Sequence, residues 1–157
     1  MFKNKYYLYI LIFLLFDIST KQFALIFLNE FESKAFIPSI DLYLTYNSGI
    51  AFGFLDFDQR SLSNLLTIIG ICIVIYIAKL LYEENDKSKK FALSMIIGGA
   101  LGNILDRIPD GYVTDFLHLK VNEFSFFIFN PADALISIGA ITLISLELFK
   151  QDYVNKS

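Results

Sequence analysis

The sequence predicts a membrane-embedded bundle of four helices with a small β-hairpin or sheet at one end. Three observations carry that reading. First, 55% of the 157 residues are hydrophobic and only 18% are charged, against roughly 25% charged in soluble domains, which is too little polar surface to cover a soluble fold. Second, the apolar residues gather into four blocks, 6–28, 62–81, 91–108 and 132–149. Each is about 18–23 residues long, close to the ~20 that cross a ~30 Å hydrocarbon core as a helix. Third, lysine and arginine are shared unevenly between the connections. The same pattern excludes a disordered chain, a coiled coil and a disulfide-rich secreted domain. The single cysteine, Cys72, has no partner for an internal disulfide. Lying in an apolar run, it reads as a buried structural thiol.

The first block follows Lys3 and Lys5, as a secretory leader would. It is too long for one, carries Asp17 and Lys21 inside, and lacks a small-x-small cleavage site, so it reads as a retained span. In the connection 29–61, residues 37–54 alternate partly and are rich in β-branched and aromatic side chains, interrupted by Asn47-Ser48-Gly49. That predicts a short antiparallel hairpin or small sheet on the membrane surface. Blocks two and three are joined by 83–90, a solvated turn. After block three, Pro109-Asp110-Gly111 is a turn signal, and Tyr112 to Phe116 reads as strand or extended loop. Phe124, Phe126, Phe127 and Phe129 read as aromatic anchors at the interface. Block four opens with Asn130 as N-cap, Pro131 at N1 and Asp133 at N3.

Orientation follows from the basic residues. One side holds Lys3, Lys5, Lys79, Lys87, Lys89, Lys90, Lys150 and Lys156; the other holds Lys34, Arg60, Arg107 and Lys120. The excess places both termini and the 83–90 loop in the cytoplasm, and the two long connections outside. The chain, 1–157, reads as one integral membrane domain.

Ionisable side chains at membrane depth are costly and mark candidate sites. Asp17 and Lys21 lie four residues apart on one helix face and can pair, and pairing alone accounts for them. Gly98 and Gly102 form a small-xxx-small pattern for close helix packing. Gly99, Asn103 and Arg107 share another face of the same block, near its outer end. Packing explains the glycines but not Asn103 beside Asp106 and Arg107, which suggests an outward-facing polar pocket. Asp133 alone is a favourable acid in a first helical turn, and Asp115 alone is a loop acid. Their common depth, beside Asn103 and Arg107, argues for a shared site. Two carboxylates brought close together cannot easily both ionise, so one keeps a proton and the pair supplies an acid and a base. His118 lacks metal-ligand partners at suitable spacing and a nucleophile-elbow glycine pattern, and reads as an interfacial or packing residue. No phosphate-binding glycine loop or nucleic-acid patch is present.

Five ordered stretches, DISTK at 17–21, YNSGIAFG at 46–53, GGALGNILDR at 98–107, GYVTDF at 111–116 and FNPAD at 129–133, resemble the lipoprotein signal peptidases, or signal peptidase II. The resemblance covers nearly the whole chain. It departs at Ile18, where the family often has Gln, and at Thr114, where it often has Val; neither position performs chemistry. The resemblance implies an aspartic endopeptidase of the bacterial inner membrane. Asp115 and Asp133 would be its catalytic dyad, cutting prolipoproteins just before a diacylglyceryl-modified cysteine. It also implies that Asn47, Gly49, Gly99, Asn103, Arg107 and Asn130 contact substrate or hold the site, with Asp17 and Lys21 supporting it. No metal or organic cofactor and no nucleic-acid partner is implied. Membrane lipid and a cyclic peptide inhibitor of the globomycin type are the further expected partners. The outer hairpin over 47–54 would cover the site as a lid does.

Two other classes compete. A proton-coupled carrier also uses intramembrane acids, but the key acids here cluster at one boundary, and no half-helices or paired repeats are visible. An assembly protein would use the polar residues only to join helices.

Overall fold

Residues 4–49, 59–121 and 124–154 are described by the computed structural model of the chain. In lipid every backbone N–H and C=O must be satisfied within its own segment, so each long apolar block closes on itself as a helix. These are α1 (Asn4–Phe27), α2 (Gln59–Glu83), α3 (Lys87–Asp110) and α4 (Pro131–Val154). All four contain stretches long and apolar enough to cross a membrane: Lys5–Phe27, Arg60–Glu83, Lys87–Asp110 and Pro131–Phe149.

Helix α3 is the centre of the bundle. It packs against α1, α2 and α4, and 56% of its apolar window is buried within the protein, against 6% for α2. Its glycines make this possible. A Cβ on Gly102 would lie 2.3 Å from the carboxylate of Asp17 on α1, and one on Gly99 would lie 2.6 Å from the Ala132 carbonyl on α4. Asp86 caps the start of α3 by accepting from the N–H groups of Ser88 and Lys89 at 2.8 and 2.9 Å. Gly111 stops it in the left-handed region, φ 92°, with its N–H bonded to the Arg107 carbonyl.

Because α2 faces its surroundings, its residues are apolar without being buried by protein. Cys72 is exposed on it, which corrects the expectation of a buried thiol. An apolar run identifies a lipid-facing helix side as readily as a core, and periodicity alone does not separate them.

The connections build one antiparallel sheet of four strands in the order β1-β2-β3-β4: Ser33–Ile37, Ile40–Asn47, Val113–Val121 and Phe124–Phe129. The first hairpin differs from the one expected over 37–54. Its turn is at Pro38-Ser39, with Ile37 opposite Ile40. Proline has no N–H to give a ladder, and Ser39 adopts a positive φ of 70°. Asn47-Ser48-Gly49 ends β2 instead of dividing a hairpin, and residues 50–54, with the lid expected there, lie outside the described residues. Strand β3 is central in the sheet. Phe116 packs beneath it on Ala24, Leu28 and Leu44, seating the sheet on the end of α1. The four phenylalanines read as anchors form most of β4, where Phe124, Phe126 and Phe127 are exposed.

Candidate functional site

The sheet-bearing end of the bundle gathers ten of the residues singled out from sequence. Strand β3 begins two residues after the Gly111 cap, so Asp115 comes third in the strand. It is buried, at 2% exposure. Helix α4 begins at Pro131 and puts Asp133 in its first turn. The cap is reciprocal: the Asp133 N–H donates to Asn130 Oδ1 at 3.0 Å, and the Asn130 N–H donates to Asp133 Oδ2 at 3.2 Å. This is a capping box with aspartate at N3.

Asn130 also reaches the other aspartate. Its Nδ2 donates to Asp115 Oδ1 at 2.6 Å. One fully buried asparagine therefore holds both carboxyl groups. Each carboxyl has a second amide donor. Asn47 Nδ2 meets Asp115 Oδ2 at 2.9 Å, and Asn103 Nδ2 meets Asp133 Oδ1 at 2.8 Å. Asn47 is itself oriented, because its Oδ1 accepts from the Gly49 N–H at 2.7 Å. Gly49 has φ 81°, and a Cβ there would strike the Leu66 side chain at 2.5 Å. Glycine alone meets both demands.

Behind Asn103 lies a charged relay. Lys21 Nζ donates to Asn103 Oδ1 at 2.8 Å, which turns the Asn103 amide so that its nitrogen faces Asp133. The same ammonium pairs with Asp17 at 2.8 Å and with Asp106 at 3.3 Å. Asp17 Oδ1 accepts from the Ala132 N–H at 2.9 Å, so α1 grips the first turn of α4. The Asp17–Lys21 pair thus binds three helices to one another.

Asp106 was not assigned a role from sequence. It accepts the Thr114 N–H at 2.7 Å and so fixes the strand one residue before Asp115. A carboxylate inside an apolar block was the available signal. Its partner is a backbone group of a strand, which no sequence spacing announces. Arg107 lies beneath the Gly49 turn, where a Gly49 Cβ would sit 3.3 Å from its guanidinium. Its Nε is buried without a hydrogen-bond partner among the described residues. His118 does not join the group. It bonds Ser125 through Nε2 at 2.7 Å and lies against Tyr43.

Burial pushes the Asp115 carboxyl up from 3.8 to about 6. The hydrogen bond from Asn47 opposes this, the nearby charge of Asp133 adds to it, and the bond from Asn130 opposes it. Asp133 lies in the first turn of α4, whose Ala132, Asp133 and Ala134 N–H groups are taken by Asp17, the Asn130 side chain and the Asn130 carbonyl. Burial therefore favours the protonated form of Asp115, close enough to Asp133 to feel its charge. One group donates and the other accepts, as general acid–base chemistry on a carbonyl requires.

A family model described as signal peptidase II matches residues 9–149. The chain is 40% identical over 144 residues to a lipoprotein signal peptidase of Pelagibacter ubique, spanning 89% of this chain and 85% of that protein. It is 33% identical over 151 residues to one from Francisella tularensis subsp. novicida, spanning 94% and 93%. Two solved bacterial membrane enzymes share the fold. One, solved at 2.3 Å resolution, has a TM-score of 0.83 at 29% identity, covering 100% of this chain and 94% of that one. The other, at 1.9 Å, has 0.81 at 28%, covering 94% and 95%.

Proposed function

The chain belongs to the signal peptidase II family, the lipoprotein signal peptidases, and from that premise we propose that it is an aspartic endopeptidase working through Asp115 and Asp133. The protein is a multi-pass membrane peptidase whose substrates are prolipoproteins. The proposal adds the mechanism, the cut site and the placement. The observation that carries it is the shared clamp: Asn130 donates to Asp115 and Asp133 at once, and each acid has one further amide donor.

In this reading Asp133 takes a proton from water, and that water attacks the scissile carbonyl. Asp115 gives its proton to the carbonyl oxygen. The proton on Asp133 then passes to the leaving amine as the tetrahedral intermediate collapses, while one hydroxyl of that intermediate returns its proton to Asp115. The Arg107 guanidinium supplies positive charge near Asp115 and Asp133. Asn47 and Asn103 hold the acids in place. The bond cut lies just before the diacylglyceryl-cysteine. No metal or organic cofactor is needed for these steps. A cyclic peptide of the globomycin type would block them by occupying the dyad.

The test is cleavage by the purified protein of a diacylglyceryl-modified precursor, with the products sequenced by mass spectrometry. The expected mature product begins at the lipidated cysteine. A cut elsewhere, or equal cleavage of the unmodified precursor, contradicts the proposed specificity.

The proton on Asp115 sets the pH dependence. An acid whose folded value is raised holds its proton below that value and loses it as pH rises. Activity should therefore fall on the alkaline side, with a midpoint no lower than about 6. Removing the Asn47 amide in Asn47→Ala removes a donor that favours the ionised form, so this limb should move to higher pH. A limb that stays in place or moves down contradicts the assignment of the proton to Asp115.

The lysine and arginine asymmetry supports termini in the cytoplasm and a dyad at the outer face, and the family resemblance supports a bacterial inner membrane. A reporter fused to the C-terminus should be active only in its cytoplasmic form. An externally active fusion contradicts the orientation.

A further inference from the structure

At the end of the bundle away from the dyad, a cavity of about 460 Å³ opens between the end of α2, the start of α3 and the end of α4. Leu80 and Leu143 give it apolar wall, and Glu83, Glu84, Glu147 and Lys89 give it charge. Lys89 is bonded to Glu147. Glu83 has Lys79 at 3.9 Å, a solvent-exposed pair of little worth. Glu84 accepts the N–H groups of Asn85 and Asp86 at 2.7 and 2.9 Å, and the Asp86 bond above all holds its carboxyl below the usual range. The lining therefore keeps an excess of negative charge beside hydrocarbon. A long basic side chain suits both, because its methylenes lie on apolar wall while its head meets a carboxylate.

One face of α3 leads from this cavity to the dyad. A Cβ on Gly139 of α4 would meet Ile96 at 2.7 Å, and one on Gly70 of α2 would meet Ile104 at 3.3 Å. At about 100° per residue those two isoleucines stand about 80° apart around α3, and Lys89, Ala100 and Arg107 fall between them. Among the described residues α2 packs on α3 and not along α4, so this face lies in a gap between two lipid-facing helices. Lys89 precedes Asn103 by fourteen residues on α3, and Glu147 follows Asp133 by fourteen on α4. Each interval is about 21 Å of helix. A signal segment carries a basic stretch ahead of an apolar run of roughly 7–15 residues, and the basic stretch stays in the cytoplasm. A helical segment cut at the dyad thus brings its basic stretch to the level of the cavity. We propose that the cavity receives a lysine or arginine from the basic stretch of the substrate's signal segment, a docking point that rests on the function given above and favours strongly basic signal segments.

The test measures cleavage, by the full chain in detergent at low salt, of diacylglyceryl-modified precursor peptides whose leading lysines and arginines are kept or replaced by glutamine. With wild-type protein the replacement should raise KM about fivefold, the order expected of one or two exposed ion pairs, with kcat unchanged. In Glu83→Gln/Glu84→Gln the KM of the basic peptide should rise to that of the neutral one, which itself should not move. Glutamine at 84 can still accept the Asn85 and Asp86 N–H groups, so the turn is kept. The wild-type comparison needs no variant, so a misfolded variant does not rescue the idea. Equal KM for the two peptides with wild-type protein overturns it. So does a variant that raises both KM values alike. A variant with unchanged KM values that loses a co-purifying ethanolamine phospholipid, by native mass spectrometry, also overturns it, because the cavity would then house a bilayer lipid. Failure of wild-type protein to cleave either lipidated peptide would instead fall on the function, and would take the cavity's role with it.

Discussion

Asp115→Asn and Asp133→Asn should each lower cleavage by on the order of 10³-fold or more, while the protein still inserts and folds. Asparagine keeps the shape of aspartate but can neither share a proton nor activate water. At 115 the change also sets one amide against another. Asn130 already presents its Nδ2 to Oδ1, and Asn47 presents its Nδ2 to Oδ2. Asn47 cannot turn over without losing the Gly49 N–H. Asn103→Ala removes one donor to Asp133 and leaves the Asn130 backbone N–H in place. It should lower kcat by about 10- to 100-fold, the worth of one hydrogen bond to a charged group. An Asn103 variant as inactive as the aspartate variants, with its melting point preserved, would give Asn103 a direct part in the chemistry.

The largest effect on stability is expected from Asp17→Ala. Asp17 is wholly enclosed, and the change removes the 2.8 Å partner of a buried ammonium and the acceptor of the Ala132 N–H. Uncompensated buried charge costs about 3–5 kcal/mol. Lys21 keeps Asp106 at 3.3 Å, which favours the lower end of that range. Because the lost bond to Ala132 ties α1 to α4, activity should fall with stability. Unfolding in detergent measures the effect. Asp17→Ala/Lys21→Met should recover part of the loss, since it removes both charges. A single variant as stable as wild type would show that the pair does not hold the bundle.

What could be read from the sequence was what membrane burial makes expensive. Asp17, Lys21, Asn103, Arg107 and Asp133 stood out because each interrupts or borders an apolar block, and Asp115 because it shares their depth at the outer end. The N-P-x-D start of α4 announced its own cap, and the reciprocal bonds of Asn130 and Asp133 are the outcome. The sheet was only half legible. Asn47-Ser48-Gly49 carries a stronger turn signal than Pro38-Ser39, yet it is the latter that reverses the chain between β1 and β2. Asn47-Ser48-Gly49 instead uses its turn to present an amide to Asp115. Asp106 escaped assignment because its partners, Lys21 and the Thr114 backbone, lie on other elements. Cys72 was misplaced because apolar sequence does not say whether lipid or protein lies beside it.

The proton shared by the two aspartates is the centre of the account, and a site-resolved carboxyl titration in a membrane mimetic observes it directly. Carbon-13 labels on the aspartate carboxyl groups, assigned by single substitutions, would follow each group with pH. The titration is expected to proceed as a coupled pair. Asp115 should remain protonated well above the ordinary aspartate range, to about 6. If Asp133 instead holds the last proton, the acid and base exchange roles. If the two groups titrate independently at ordinary carboxylate values, no proton is shared and the aspartic mechanism is contradicted.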